Sequence, residues 1–215
     1  MPDLTALAAA VSALLPPGCA LAAADPGQEA SGLLPGEAIS ATETRLREFA
    51  AGRRAARQAM AALGLASAAI PMGRDRAPLW PGGIVGSISH SATACLAVVT
   101  TRPLLLGLDL EPEADLARDL WPMVLRDEEA ARTPDPRHAM AVFCAKEAAY
   151  KAQYPRTRHL FDFQTLEISL SDDRFTACFR AAVPGFALGS MLEGRIIRAA
   201  GHIAALVATD QPVSA

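Results

Sequence analysis

Leu104-Leu-Leu-Gly107-Leu108-Asp109-Leu110-Glu111-Pro112 is an apolar run of strand length that gains two acids before a proline ends it. On an extended strand, side chains two apart share a face. Asp109 and Glu111 therefore project together, opposite Leu108 and Leu110. Downstream, residues 113–138 alternate charged clusters with Leu and Trp, the pattern of short helices and turns. Ala139 to Tyr154 reads as a helix stopped by Pro155. Four strand-like runs follow, at Thr165–Ser171, Phe175–Arg180, Gly194–Ala199 and His202–Thr209.

Upstream, the order is similar. Thr42 to Leu63 reads as a helix, with Phe49, Ala56, Met60 and Leu63 on one face and Gly64 closing it. Residues 71–83, rich in Pro and Gly, read as a loop. Ile84–Ser89 and Ala94–Thr101 have strand character, joined by a turn at His90–Thr93. Each half runs from helix pattern to strand pattern, which predicts an α+β fold of two similar halves meeting near residue 103.

Composition narrows the function classes. The chain has 215 residues, 51% of them hydrophobic and 20% charged, which fits a folded protein and excludes disorder as its main state. A net charge of −3 argues against nucleic acid as the main ligand, so any phosphate site must come from local basic residues. Cys19, Cys95, Cys144 and Cys178 are far apart, with no C-x-x-C pair and no zinc spacing, as expected of reduced thiols in a cytoplasmic protein. The Ala-rich start carries Asp3 and no basic n-region, so it reads as a short amphipathic helix ended by Pro16-Pro17 rather than an export signal. No stretch reaches the roughly 20 uninterrupted apolar residues of a membrane span.

Four features carry potential chemistry. Asp109 and Glu111, held side by side, repel unless a cation sits between them, and such hard oxygen ligands suit Mg²⁺. An exposed strand end with two solvated acids would account for the same residues. Phe143, Lys146, Glu147, Tyr150 and Lys151 share one broad helix face that mixes aromatic rings with charge. Glu147 and Lys151 alone could be an ordinary i,i+4 surface pair. Gly86-Ser87-Ile88-Ser89-His90-Ser91 offers hydroxyls, backbone N–H groups and an imidazole able to hold phosphate, or forms a polar hairpin turn. Arg53 and Arg57 lie on the border of the first helix's apolar face, where guanidinium groups could grip phosphate or cover apolar surface.

GSISHS at 86–91, GLDLE at 107–111 and FCAKEAAYK at 143–151, in this order, resemble the 4′-phosphopantetheinyl transferases of the surfactin type, nearest to their enterobactin-synthase branch. Leu34-Pro-Gly-Glu37, the stretch Arg47 to Arg57 and Arg76-Ala-Pro-Leu-Trp80 extend the similarity, which runs from about residue 33 to residue 154. The resemblance implies two pseudo-symmetric halves, each a small antiparallel sheet packed on a helix, with coenzyme A bound in a cleft. Residues 1–103 would form the coenzyme A-binding half and residues 104–215 the half with metal and catalytic residues.

The same resemblance assigns roles. Asp109, Glu111 and Glu147 match Mg²⁺ ligands, and Glu147 also matches the residue that helps deprotonate the acceptor serine. Lys151 matches a catalytic lysine that contacts the pyrophosphate. Arg53, Arg76, Ser89 and His90 match positions around the adenosine 3′-phosphate, and Arg57 and Lys146 fall on family positions too. The implied reaction moves phosphopantetheine from coenzyme A to a serine of an apo carrier protein or carrier domain of a peptide, polyketide or fatty-acid synthase, releasing 3′,5′-ADP. Siderophore or nonribosomal peptide synthesis is the expected setting, and a monomer suffices. Another Mg²⁺-dependent phosphate-ester enzyme, or a non-catalytic coenzyme A-binding protein, would use the same acids differently.

Overall fold

The computed structural model describes residues 2–210. The chain is α+β, with two antiparallel sheets in two compact units, Met1–Pro103 and Leu104–Ala215.

In the first unit, Asp3 caps α1 (Leu4–Ser12) by accepting the Ala6 N–H at 2.9 Å, and Leu7 and Val11 of this helix are fully buried. β1 (Cys19–Ala24) follows, then α2 (Glu43–Ala62) with Thr42 as its N-cap. The helix ends at Gly64, whose φ of +72° is the left-handed conformation that favours glycine. β2 (Val85–His90) and β3 (Cys95–Thr100) complete a sheet of order β1-β3-β2. Small side chains let helix and sheet approach closely: Ala51, Ala55 and Ala59 of α2 share one core with Ala20, Ala22 and Ala24 of β1.

In the second unit, β4 (Leu105–Pro112) leads through a 3₁₀ turn, α3 (Trp121–Val124) and α4 (Asp127–Arg132) to α5 (Pro136–Thr157). A meander of β5 (Leu166–Ser171), β6 (Arg174–Phe179), β7 (Met191–Ala199) and β8 (His202–Thr209) gives a sheet of order β4-β8-β7-β6-β5. Among the described residues β5 pairs only with β6, so its other side is a sheet edge. α5 packs across β4 and β8.

Element boundaries differ from expectation by up to about three residues: α1 ends at Ser12, before Pro16-Pro17, and α5 begins at Pro136, before Ala139. α5 does not stop at Pro155 but runs through it to Thr157. The proline sits in the last turn, where its missing N–H removes a single ladder bond to the Lys151 carbonyl. The helix ends at Arg158, which is left-handed (φ +53°) and donates its N–H to Tyr154 at 2.8 Å. β7 begins at Met191, three residues before the expected Gly194, because Met191 and Leu192 already pair with Cys178 and Ala177.

Among the described residues no helix is long and apolar enough to cross a membrane, and none of the four cysteines forms a disulfide.

Candidate active site

α5 lies so close to β4 that a Cβ on Gly107 would fall 2.0 Å from the Ala148 carbonyl oxygen and 2.5 Å from the Ala152 nitrogen. Gly107 shares its strand face with Asp109 and Glu111. The absence of one side chain thus brings two acids up against the helix that carries Glu147 and Lys151, which are one turn apart. Asp109 is only 3% exposed, and the Lys151 ammonium donates to its Oδ1 at 2.6 Å. Asp109 is therefore no solvated strand-end acid.

The four groups feel one another. Burial, and then the Asp109 charge, raises the Glu111 carboxyl from 4.5 to about 7, with Glu147 adding to the effect and Lys151 opposing it. Burial also raises Glu147, where Lys151 opposes and Asp109 adds. Burial works against the charge of Lys151, but the adjoining Asp109 outweighs it and holds the ammonium above the ordinary lysine value. Buried Cys144 is pushed well up as well, by burial first and Asp109 next, and stays a thiol.

The expected metal ligands are thus electrostatically coupled. However, among the described residues no three acidic, histidine or cysteine side chains are gathered closely enough to hold a metal ion, and Lys151 balances Asp109.

Beside Glu147 opens a cleft of about 160 Å³ walled by Tyr150, Phe161, Phe163 and Leu166, with Lys146 in its lining. Tyr150 and Phe161 meet edge to face at 5.2 Å, and Phe143 backs Phe163 at 5.5 Å. Lys146 shares the helix face with Phe143 and Tyr150, as its spacing implies, but its charge is turned inward. It is 1% exposed and spends its three N–H bonds on the Val124 carbonyl (2.8 Å), Glu129 Oε2 (2.6 Å) and the Phe163 carbonyl (2.9 Å).

In the first unit, His90 ends β2 beside two α2 residues missed by sequence reasoning. Arg45 contacts its Nε2, and Glu48 lies 3.6 Å from its Nδ1. Ser89 is buried on the same strand. Arg76 is exposed in a small turn, at a left-handed φ of +67°. Residues Pro71 to Leu79 form a miniature hairpin, with Leu79 donating to Pro71 and Gly73 to Ala77, and Trp80 then covers Gly86 of β2.

Arg53 and Arg57 are more deeply engaged than the border of an apolar face allows. Arg53 is 6% exposed, stacks on Phe49 and donates from Nε to the Ile70 carbonyl at 2.9 Å, and burial lowers its pKa to about 10. Arg57 Nη1 reaches both oxygens of the fully buried Glu37, at 2.7 and 2.9 Å. Helical spacing places both arginines on α2 but says nothing of Glu37 and Ile70, which arrive from other segments.

Both halves of the chain resemble known proteins. The profile of the 4′-phosphopantetheinyl transferase N-terminal domain matches residues 35–100, and that of the 4′-phosphopantetheinyl transferase superfamily matches residues 105–199. The chain is 35% identical over 203 residues to 4′-phosphopantetheinyl transferase Svp of Streptomyces mobaraensis, covering 87% of this chain and 82% of that protein. It is 35% identical over 136 residues to 4′-phosphopantetheinyl transferase PptT of Mycobacterium tuberculosis, 60% of each chain. To enterobactin synthase component D of Salmonella typhimurium it is 39% identical over 121 residues, 53% of this chain and 50% of that protein. With both units matched and one relative aligned over most of its length, this chain belongs to the 4′-phosphopantetheinyl transferase superfamily and is a transferase.

Proposed function

We propose that this transferase moves the phosphopantetheine arm of coenzyme A onto a serine hydroxyl of an apo carrier protein and releases 3′,5′-ADP. The observation that carries the reading is the electrostatic coupling of Asp109, Glu111, Glu147 and Lys151 where α5 meets β4 at Gly107, with Lys151 bonded to Asp109. The donor set fits Mg²⁺. Its oxygens are hard, and a Glu111 carboxyl raised to about 7 belongs to a site that a divalent cation would relieve of excess negative charge. Asp109, Glu111 and Glu147 would hold that ion, which when bound supplies positive charge to the diphosphate.

The chain's own groups do the rest. Lys151 places a fixed ammonium beside Asp109, where it can meet phosphate oxygens. Glu147, its carboxyl raised by burial, would take the serine proton as a stronger base than an exposed carboxylate. The aromatic cleft beside Glu147 suits a slender amide-bearing arm. It suits a phosphate poorly, because all three Lys146 N–H bonds are already spent within the protein. Arg76, Ser89 and His90 would bind the nucleotide end, with Arg53 and Arg57 supporting the segment at Ile70. The acceptor would be a carrier of siderophore or nonribosomal peptide synthesis, a reading supported by the likeness to a protein named enterobactin synthase component D.

The test is intact-mass analysis of apo carriers incubated with the protein, coenzyme A and Mg²⁺. Asp109→Ala should slow loading by about 100-fold or more with the circular dichroism spectrum unchanged. Loading near the wild-type rate would refute the assignment.

A further inference from the structure

Glu129 is 1% exposed and does not line the cleft beside Glu147, yet it is bonded on every side. Its Oε2 accepts the Lys146 ammonium at 2.6 Å and the Arg126 N–H at 2.8 Å, and its Oε1 accepts the Ile168 N–H at 2.5 Å. Lys146 in turn holds the Phe163 carbonyl, and Phe163 is an aromatic wall of the cleft. The next residue, Gln164, donates to the Met123 and Leu125 carbonyls, both at 3.1 Å, so this wall is fastened to the α3 segment too. Leu166, a further wall residue, begins β5, two residues before the Ile168 that Glu129 grips. One buried carboxylate therefore fixes both the cation that anchors the Phe163 turn and the strand that carries Leu166.

We infer that Glu129 is a positioning residue for transfer. Acting through Lys146 and Ile168, it sets the width of the cleft beside Glu147 and so the affinity for the arm of coenzyme A, without touching the reacting atoms. This rests on the transferase reading above. Removing the carboxylate charge leaves Lys146 buried without its counter-ion, which frees the Phe163 turn to shift. A shift of an ångström at a binding wall is felt by the group it holds. The nucleotide end of the substrate would not sense it.

The experiment compares two ligands that differ by the arm. For wild type, Glu129→Gln and the charge-conserving Glu129→Asp, the KM for coenzyme A is measured by carrier loading and the Kd for 3′,5′-ADP by calorimetry. Glu129→Asp keeps the ion pair within reach and guards against a Gln variant that fails to fold. The expected result is a KM raised about tenfold in the folded variant, more for Gln than for Asp, with the 3′,5′-ADP Kd within about twofold of wild type. An unchanged KM in both variants, or coenzyme A and 3′,5′-ADP weakened in parallel, overturns the role of Glu129. A wild-type protein that loads no carrier at all would instead sink the transferase reading, so the two failures are distinguishable.

Discussion

The two units are built on one plan and used differently. In each, a strand leads to a long helix and then to a meander whose last strand returns to pair antiparallel with the first: β3 with β1, and β8 with β4. Each also contains the same polar buttress. Glu37 accepts the N–H three residues before it, a cation of the long helix (Arg57) and the N–H of Ile70, whose carbonyl takes Arg53. Glu129 accepts the N–H three residues before it, a cation of the long helix (Lys146) and the N–H of Ile168, whose carbonyl takes Arg132.

The difference lies on the first strand. Where the first unit turns Ala20, Ala22 and Ala24 toward its helix, the second turns Gly107, Asp109 and Glu111. The frame and its buttress occur twice, whereas acidic chemistry was loaded onto the first strand of only one copy.

Removing one partner from each buttress separates the two copies most sharply. Lys146 is 1% exposed, and Lys146→Met leaves Glu129 charged and buried, a loss of about 3–5 kcal/mol. Arg57 is 12% exposed, and Arg57→Met should cost less because water can reach the gap it leaves beside Glu37. Urea unfolding measures both, and equal losses would show that burial of the cation does not set the difference.

A smaller contrast comes from glycine. Gly107→Ala drives a methyl into the α5 backbone and should cost about 1–3 kcal/mol while separating Lys151 from Asp109. Gly52→Ala on α2 meets only side-chain atoms, Ile88 at 3.0 Å and Cys95 at 3.7 Å, and gains about 1 kcal/mol of helix propensity, so its net effect should be under about 1 kcal/mol. Thermal melts of the two variants test the pair.

The smallest effect is on pH dependence. Glu111 binds its proton more tightly in the folded protein, so its contribution to stability is complete below the ordinary value of 4.5 and is lost as pH rises to about 7 and beyond. In chelator-treated protein, Glu111→Gln should flatten the fall in Tm over that window. An unaltered slope would mean that Glu111 does not carry it.

Local periodicity makes both long helices and every described strand but β1 legible, and spacing two on a strand is enough to pair Asp109 with Glu111; Cys19–Ala24, an alanine-rich run with no apolar–polar alternation, gives no strand signal. What escaped were contacts made across distance in the chain. Glu37 and Ile70 are 33 residues apart and Glu129 and Lys146 are 17 apart, and no repeat of 2 or 3.6 encodes such partners. Periodicity alone therefore puts Lys146 on a face that mixes aromatic rings with charge, and Arg53 and Arg57 on the border of an apolar one. Pro155 misled because the proline rule applies to helix interiors, not to a final turn. Gly107 stood within the quoted motif, but its purpose shows only once α5 lies against it.

The grip on Ile168 has a consequence beyond the cleft. β5 closes the five-stranded sheet on one side, and there Glu129 takes the outward N–H of Ile168 while Arg132 donates to its carbonyl at 2.6 Å. Two side chains thus occupy a rung that a stray strand from another molecule would need in order to add itself to the sheet. The contact that shapes the interior of this unit also blunts its margin against self-assembly.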